Sequence, residues 1–150
     1  MKTALCIGAF LLIKLIKAKS NREPTGNGQT YVLKLLAKRS VIVNGIQDHV
    51  FNDRSIMDKL NHPFNLKFNC AMQDDKYIYF LLEVLVCGEL FKALRSETKF
   101  PEIWDRFNAW SMIQAFCQTH SQKIAFRNLK TIHVVIDSDG YMKVVDFGFD

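Results

Sequence analysis

Three sets of residues in this chain are of types that do chemistry. The first is a crowd of cations, Lys14, Lys17, Lys19, Arg22, Lys34, Lys38 and Arg39. Charge alone would let such a patch meet nucleic acid or an anionic ligand. No nucleic-acid motif accompanies it and the net charge is only +5, so it reads as a solvated lysine-rich face with no nucleic-acid partner. The second set is Cys6, Cys70, Cys87 and Cys117. None forms a C-x-x-C pair and no Cys/His cluster has zinc spacing, so they read as buried or semi-buried thiols in a reducing, cytoplasmic setting. The third is Asp137-Ser138-Asp139-Gly140, which begins like a calcium loop. The downstream ligands and the closing glutamate are missing, which leaves a hairpin turn.

The elements that must position any site read as α+β. Residues 5–17 form two β segments around Gly8, and the polar stretch Ser20–Gln29, with Pro24, Gly26 and Gly28, forms a turn or loop. An alternative for the N-terminus is a signal peptide, with an apolar run Leu5–Ile13 and a cleavage site near Ala18-Lys19-Ser20. Lys14 and Lys17 interrupt the apolar stretch and favour the strands. No segment has the ~20 apolar residues that span a membrane. Tyr31–Leu36 is a strand, and Asn44 caps a helix running to about Leu60, with Ile46, Val50, Asp53, Met57 and Leu60 on one face. Phe64–Met72 and Tyr77–Val86 read as strands turned at Gln73–Lys76. A short helix covers Glu89–Arg95, and a longer one starts at Phe100-Pro101. In the longer one Ile103, Phe107, Trp110, Ile113 and Cys117 fall at helical spacing and predict a core-facing stripe. Val134–Ile136 and Met142–Val145 close the chain as a hairpin. The order suggests two sub-structures, about 1–85 and about 86–150, with a boundary near Leu85–Gly88.

Several stretches together resemble the protein kinase signature set. Tyr31-Val32-Leu33-Lys34 resembles the strand bearing the phosphate-binding lysine, Phe126-Arg127-Asn128-Leu129-Lys130 the catalytic loop, and Asp146-Phe147-Gly148 the metal-binding tripeptide. Glu83–Leu85 falls at the hinge, followed by Cys87-Gly88-Glu89-Leu90, which is similar to a Gly-Gly-Glu-Leu run. Phe149 and Tyr77-Ile78-Tyr79 point to cGMP-dependent Ser/Thr kinases, within the AGC group that also holds cAMP-dependent kinases. The separations, 19 residues from Lys34 to Asp53, 18 from Asn128 to Asp146 and 112 from Lys34 to Asp146, are similar to those of the family. The resemblance runs from about Leu5 to Asp150. It implies a small β-rich lobe with one long helix, then the first, incomplete part of a helical large lobe, truncated after the tripeptide.

The resemblance also implies roles. ATP and Mg²⁺ are the ligands. Gly8 is the one glycine kept in Cys6-Ile7-Gly8-Ala9-Phe10-Leu11, where the family has Gly-x-Gly-x-x-Gly, so the backbone cradle for phosphate is weakened. Ile13, Val32 and Val135 would sandwich adenine, Glu83 and Leu85 would line the hinge, and Glu89 would lie near the ribose. Lys34 would hold the phosphates, paired with Asp53, which replaces a glutamate and is one methylene shorter. Met57, Phe68, Phe126 and Phe147 match an apolar column. Asn128 stands where the family has its catalytic aspartate, and an amide cannot take up the substrate proton. Lys130 is kept. Asp146 remains as a metal ligand, while His133 replaces an asparagine and offers nitrogen to a cation that prefers oxygen. The implied activity, Ser/Thr phosphorylation, is therefore lost or very low. The alternatives are a non-enzymatic interaction module on the same scaffold, or an inactive fragment. The long helix carries Trp104, Phe107, Trp110, Ile113 and Phe116 around more than one face, so without later helices it is expected to leave apolar surface open, and the chain is expected to self-associate or to need a protein partner covering the incomplete large lobe.

Overall fold

The computed structural model describes residues 3–7, 11–17, 29–85, 88–97, 100–127 and 129–145. Gly8, Asn128, Asp146 and Phe147, and the loop expected at 20–28, lie outside them. The chain divides into two compact units, Met1–Val50 with Phe68–Val84, and Phe51–Lys67 with Leu85–Asp150.

The first unit is built on one antiparallel five-stranded sheet. Its strands are β1 (Thr3–Ile7), β2 (Leu11–Lys17), β3 (Thr30–Ala37), β4 (Phe68–Gln73) and β5 (Tyr77–Leu82), in the order β1-β2-β3-β5-β4. β-branched and aromatic residues favour these segments. Thr3–Ile7 and Leu11–Lys17 thus pair with each other as antiparallel strands. Leu35, Leu36, Phe80 and Leu82 are buried, so the central strands β3 and β5 carry the core.

The β4–β5 turn is held by one side chain. Asp74 Oδ1 accepts the N–H groups of Lys76 and Tyr77, and Oδ2 accepts the Tyr79 hydroxyl at 2.6 Å. The Tyr79 hydroxyl and these backbone donors hold the Asp74 carboxyl below its ordinary range, and the same bond to Asp74 raises the Tyr79 phenol.

A short helix unforeseen from the sequence follows β3: α1, Lys38–Val43. Asn44 belongs to its C-terminus and does not start the next helix, correcting the expected cap. The Asn44 amide Nδ2 donates to Ser40 O at 2.7 Å. Gly45, at φ 64°, then lets Gly45 N–H reach Ile42 O and Ile46 N–H reach Val41 O. This 5→2 and 6→1 pair closes a Schellman motif. Asn-Gly after an apolar stretch is a stop signal as much as a start signal.

The next helix, α2, spans Gln47–Lys59. Its face is as expected: Val50, Asp53, Met57 and Leu60 are buried, and Ile46 is half-buried. After His62-Pro63 the expected strand does not begin at Phe64. Residues 64–67 leave the five-stranded sheet, and Asn65 forms a parallel bridge with Val144 instead. Val144 N–H donates to Phe64 O at 2.9 Å, and Leu66 N–H to Val144 O at 3.0 Å.

The second unit also holds β6 (Gly88–Glu89), α3 (Leu90–Glu97), α4 (Glu102–Ser121), a 3₁₀ turn (Thr131–His133), β7 (Val134–Ile136) and β8 (Met142–Val144). The three strands form a small antiparallel sheet, order β6-β7-β8. Glu89 therefore pairs in a strand rather than opening a helix. The Asp137–Gly140 turn forms as predicted. Asp137 Oδ1 accepts from Asp139 N–H and Tyr141 N–H, and Gly140 takes φ 84°.

The predicted inner stripe of α4 is only partly inward: Phe107 meets the Tyr141 ring at 4.8 Å and Trp110 meets Phe64 edge-on at 5.4 Å, but the stripe is not the buried face. The residues that α4 buries are Asn108, Ser111, Ala115 and Thr119, whereas Ile103 is 74% exposed, Trp110 50%, and Phe107, Ile113 and Cys117 are also exposed. Both sets have helical spacing, so periodicity alone could not choose between them. Small residues allow a close approach, and their hydroxyls bond to the helix itself. Ser111 Oγ donates to Phe107 O, and Thr119 Oγ1 lies within hydrogen-bond reach of Ala115 O and Phe116 O. They are buried without needing an outside partner.

Candidate functional site

The first unit presents a row of candidate residues across one sheet face. Residues directly opposite on paired strands share a face, as do residues two apart. Ile13 lies opposite Lys34, and Lys34 opposite Phe80; one step along, Leu15 lies opposite Val32, and Val32 opposite Leu82. Ile13, Val32 and Lys34 therefore lie on one face, with Phe80 and Leu82 beside them. Phe80 is 1% exposed, and its ring meets Phe68 edge-on at 6.0 Å. Lys34 Nζ lies 6.0 Å from the centroid of the Phe80 ring. A lysine on such a face covers apolar surface with its stem and offers a point charge at its tip. The ring adds a cation–π attraction of about 0.5–1 kcal/mol. Phe80 was not singled out from the sequence. Its position between Tyr79 and Leu81 in an apolar strand was visible, but the register that places it under Lys34 was not.

Glu83 and Leu85, just beyond the end of β5, are half-buried. They fall in different units, as do Lys34 and Asp53. Asp53 is 3% exposed on the buried face of α2. A carboxylate at such a depth is costly unless compensated, which marks Asp53 as more than a solvated helix acid.

The second unit brings Glu89 and Val135 together as cross-strand neighbours. His133 is buried, and its ring stands edge-on to Phe126 at 6.4 Å. Its N–H donates to Lys130 O and its carbonyl accepts Val145 N–H, both at 2.9 Å. The side chains of Arg127 and Lys130 are exposed. Among the described residues no group of three or more His, Cys, Asp or Glu is placed to hold a metal ion, and Asp146 lies outside them. The apolar sheet face of the first unit bears Lys34 and, farther along β2, Lys17, charge that can meet an anion.

One buried group has no sequence precedent in the expectations above. Asn65 is 1% exposed, and neither its Oδ1 nor its Nδ2 bonds to any described group.

Residues 18–150 match the family model described as protein kinase domain. The chain is 33% identical over 143 residues to cGMP-dependent protein kinase 2 of Mus musculus, covering 95% of this chain and 18% of that protein. It is 33% identical over 147 residues to cGMP-dependent protein kinase, isozyme 1, of Drosophila melanogaster, covering 98% and 19%. To the cAMP-dependent protein kinase catalytic subunit PRKX of Mus musculus it is 32% identical over 142 residues, covering 95% and 38%. The chain thus spans between about a fifth and two-fifths of the length of these relatives.

Proposed function

Because this chain belongs to the protein kinase domain family and is related to cGMP-dependent Ser/Thr kinases, we propose that it binds ATP and is impaired in phosphoryl transfer. Residues 1–85 would serve as the small lobe and 86–150 as the start of the large one. The observation that carries the proposal is the row Ile13–Lys34–Phe80 beside Val32: an apolar surface for adenine with a fixed cation for phosphate.

On this reading Ile13, Val32 and Val135 hold the base, Glu83, Leu85 and Glu89 border it, and Gly8 and Lys34 meet the phosphates, with Asp53 orienting Lys34. ATP supplies the phosphoryl group. Lys130 would face it, and Asn128 would orient a substrate hydroxyl without accepting its proton. Loss of the general base alone costs about 10²–10⁴-fold in rate. The buried setting of His133 suits a packing role better than Mg²⁺ ligation, which leaves Asp146 as the metal contact and argues for little magnesium enhancement.

The test is phosphate incorporation from labelled ATP into the chain and into Ser/Thr peptides. Incorporation equal to that of Lys34→Ala agrees with the proposal, and incorporation above that control refutes the impairment. A second reading, a non-enzymatic interaction module, is favoured by the exposed apolar side of α4.

A further inference from the structure

The chain that follows α2 is fastened to β8 by two backbone bonds, Val144 N–H to Phe64 O at 2.9 Å and Leu66 N–H to Val144 O at 3.0 Å. They make an isolated parallel bridge, Asn65 to Val144, outside either sheet. Val144 is paired at the same time with Val134 of β7, and Val145 N–H bonds to His133 O. β8 therefore keeps its place in the small sheet without the bridge.

The bridge buries side chains of opposite preference. Phe64 favours docking: it is buried, and its ring meets Trp110 edge-on and Tyr141 at a tilt, both at 5.4 Å. Trp110 is itself half-exposed, so this anchor lies at the rim of the second unit. Asn65 opposes docking. It is 1% exposed, and neither Oδ1 nor Nδ2 has a bonding partner among the described residues. Once undocked, both atoms regain water.

The magnitudes are close. An unsatisfied buried polar group costs about as much as one or two hydrogen bonds contribute net, and here two such atoms stand against two bridge bonds. Within the segment, Phe64 N–H reaches His62 Nδ1 only at 3.3 Å, a long bond that adds little. The apolar packing of Phe64 is what keeps the bridge closed.

We propose that residues 64–66 form a latch that undocks from β8 as a local unit while β7 and β8 stay paired, and that the unpartnered amide of Asn65 sets how often it opens. Closed, the latch fastens the chain after α2 to the second unit. Open, it exposes Phe64 and Asn65 together.

Native-state hydrogen exchange on the whole chain, read by NMR as protection factors, tests the latch. The amides of Leu66 and Val144 are the two bridge donors. They should exchange through one shared opening with little urea dependence, because little surface is uncovered. The amides that pair β7 with β8 should be better protected and more sensitive to urea. Asn65→Leu removes the amide at similar size, and should raise the protection of Leu66 and Val144 by about 10- to 100-fold, the worth of one unsatisfied buried group. If that variant misfolds, the comparison within the parent chain still decides. Leu66 and Val144 protected as strongly as the β7–β8 amides, with the same urea dependence, would show one cooperative unit and no latch. Unchanged or lower protection in a folded Asn65→Leu would show that the amide is satisfied when docked, and would overturn its role.

Discussion

The five-stranded sheet and helix α4 treat apolar residues in opposite ways. In the sheet, Leu35, Leu36, Phe80 and Leu82 are buried, and Lys34 is set beside Phe80. In α4 the buried residues are Asn108, Ser111, Ala115 and Thr119, while Ile103 and Ile113 are exposed and Phe107 and Trp110 only half covered. The second unit departs from ordinary rules elsewhere as well. Asn65 is buried without a bonding partner among the described residues, and Lys123 holds φ 58° at the end of α4. The comparison teaches that ordinary apolar packing holds the sheet of the first unit, while the second unit buries polar groups in its place.

Four substitutions would break or sharpen that contrast. Phe80→Ala should have the largest effect, a loss of about 3–5 kcal/mol in urea denaturation, because it empties the site beneath Lys34 and beside Phe68. A smaller loss would mean that the sheet core collapses around the gap.

Asn65→Leu should act in the other direction. Removing a buried, unpartnered amide recovers about 1–3 kcal/mol of desolvation cost. Lower stability in the same denaturation experiment would show that the amide finds a partner.

Lys123→Gly follows. Lys123 N–H bonds to His120 O and Ile124 N–H to Thr119 O, a Schellman pair with lysine at the left-handed position. Glycine removes a strain of about 1–2 kcal/mol and returns part of it as backbone entropy. A net rise of about 0.5–1 kcal/mol is expected by thermal unfolding.

The smallest effect concerns pH. Asp74 is held below its usual value of 3.8. A depressed carboxyl contributes stability that is complete above its unfolded value and is lost as pH falls through the lower folded value. Asp74→Asn should lower stability slightly at neutral pH, where the carboxylate's contribution is complete, flatten the acid limb, and converge with the parent chain at pH well below 3.8. An unaltered acid limb would place the sensitive group elsewhere.

Much of this was legible in the sequence. The strands of the first unit, the buried face of α2 with Asp53 on it, and the Asp137–Gly140 hairpin all follow from period and turn chemistry. The misses have physical causes. Asn44-Gly45 was read as a helix start because asparagine suits both ends, and only the φ of Gly45 settles which. Residues 64–67 are apolar enough for a strand, but they bond to Val144, a partner remote in sequence. The inner face of α4 was missed because hydroxyls bonded to their own helix are invisible to a hydropathy pattern. That Ile13, Val32 and Lys34 share a sheet face, with Phe80 beside them, needed the β2–β3 and β3–β5 registers, which no motif spacing carries.

The most direct test of retained binding is a thermal-shift titration with ATP, with and without Mg²⁺, on the parent chain and on Lys34→Ala. A ligand that binds only the folded state at ten times its Kd adds about 1.4 kcal/mol, a rise of about 3–5 °C for a chain of this size. The account predicts such a rise at millimolar ATP, nearly independent of magnesium and lost in Lys34→Ala. No shift at any ATP concentration, or an equal shift in Lys34→Ala, would contradict it.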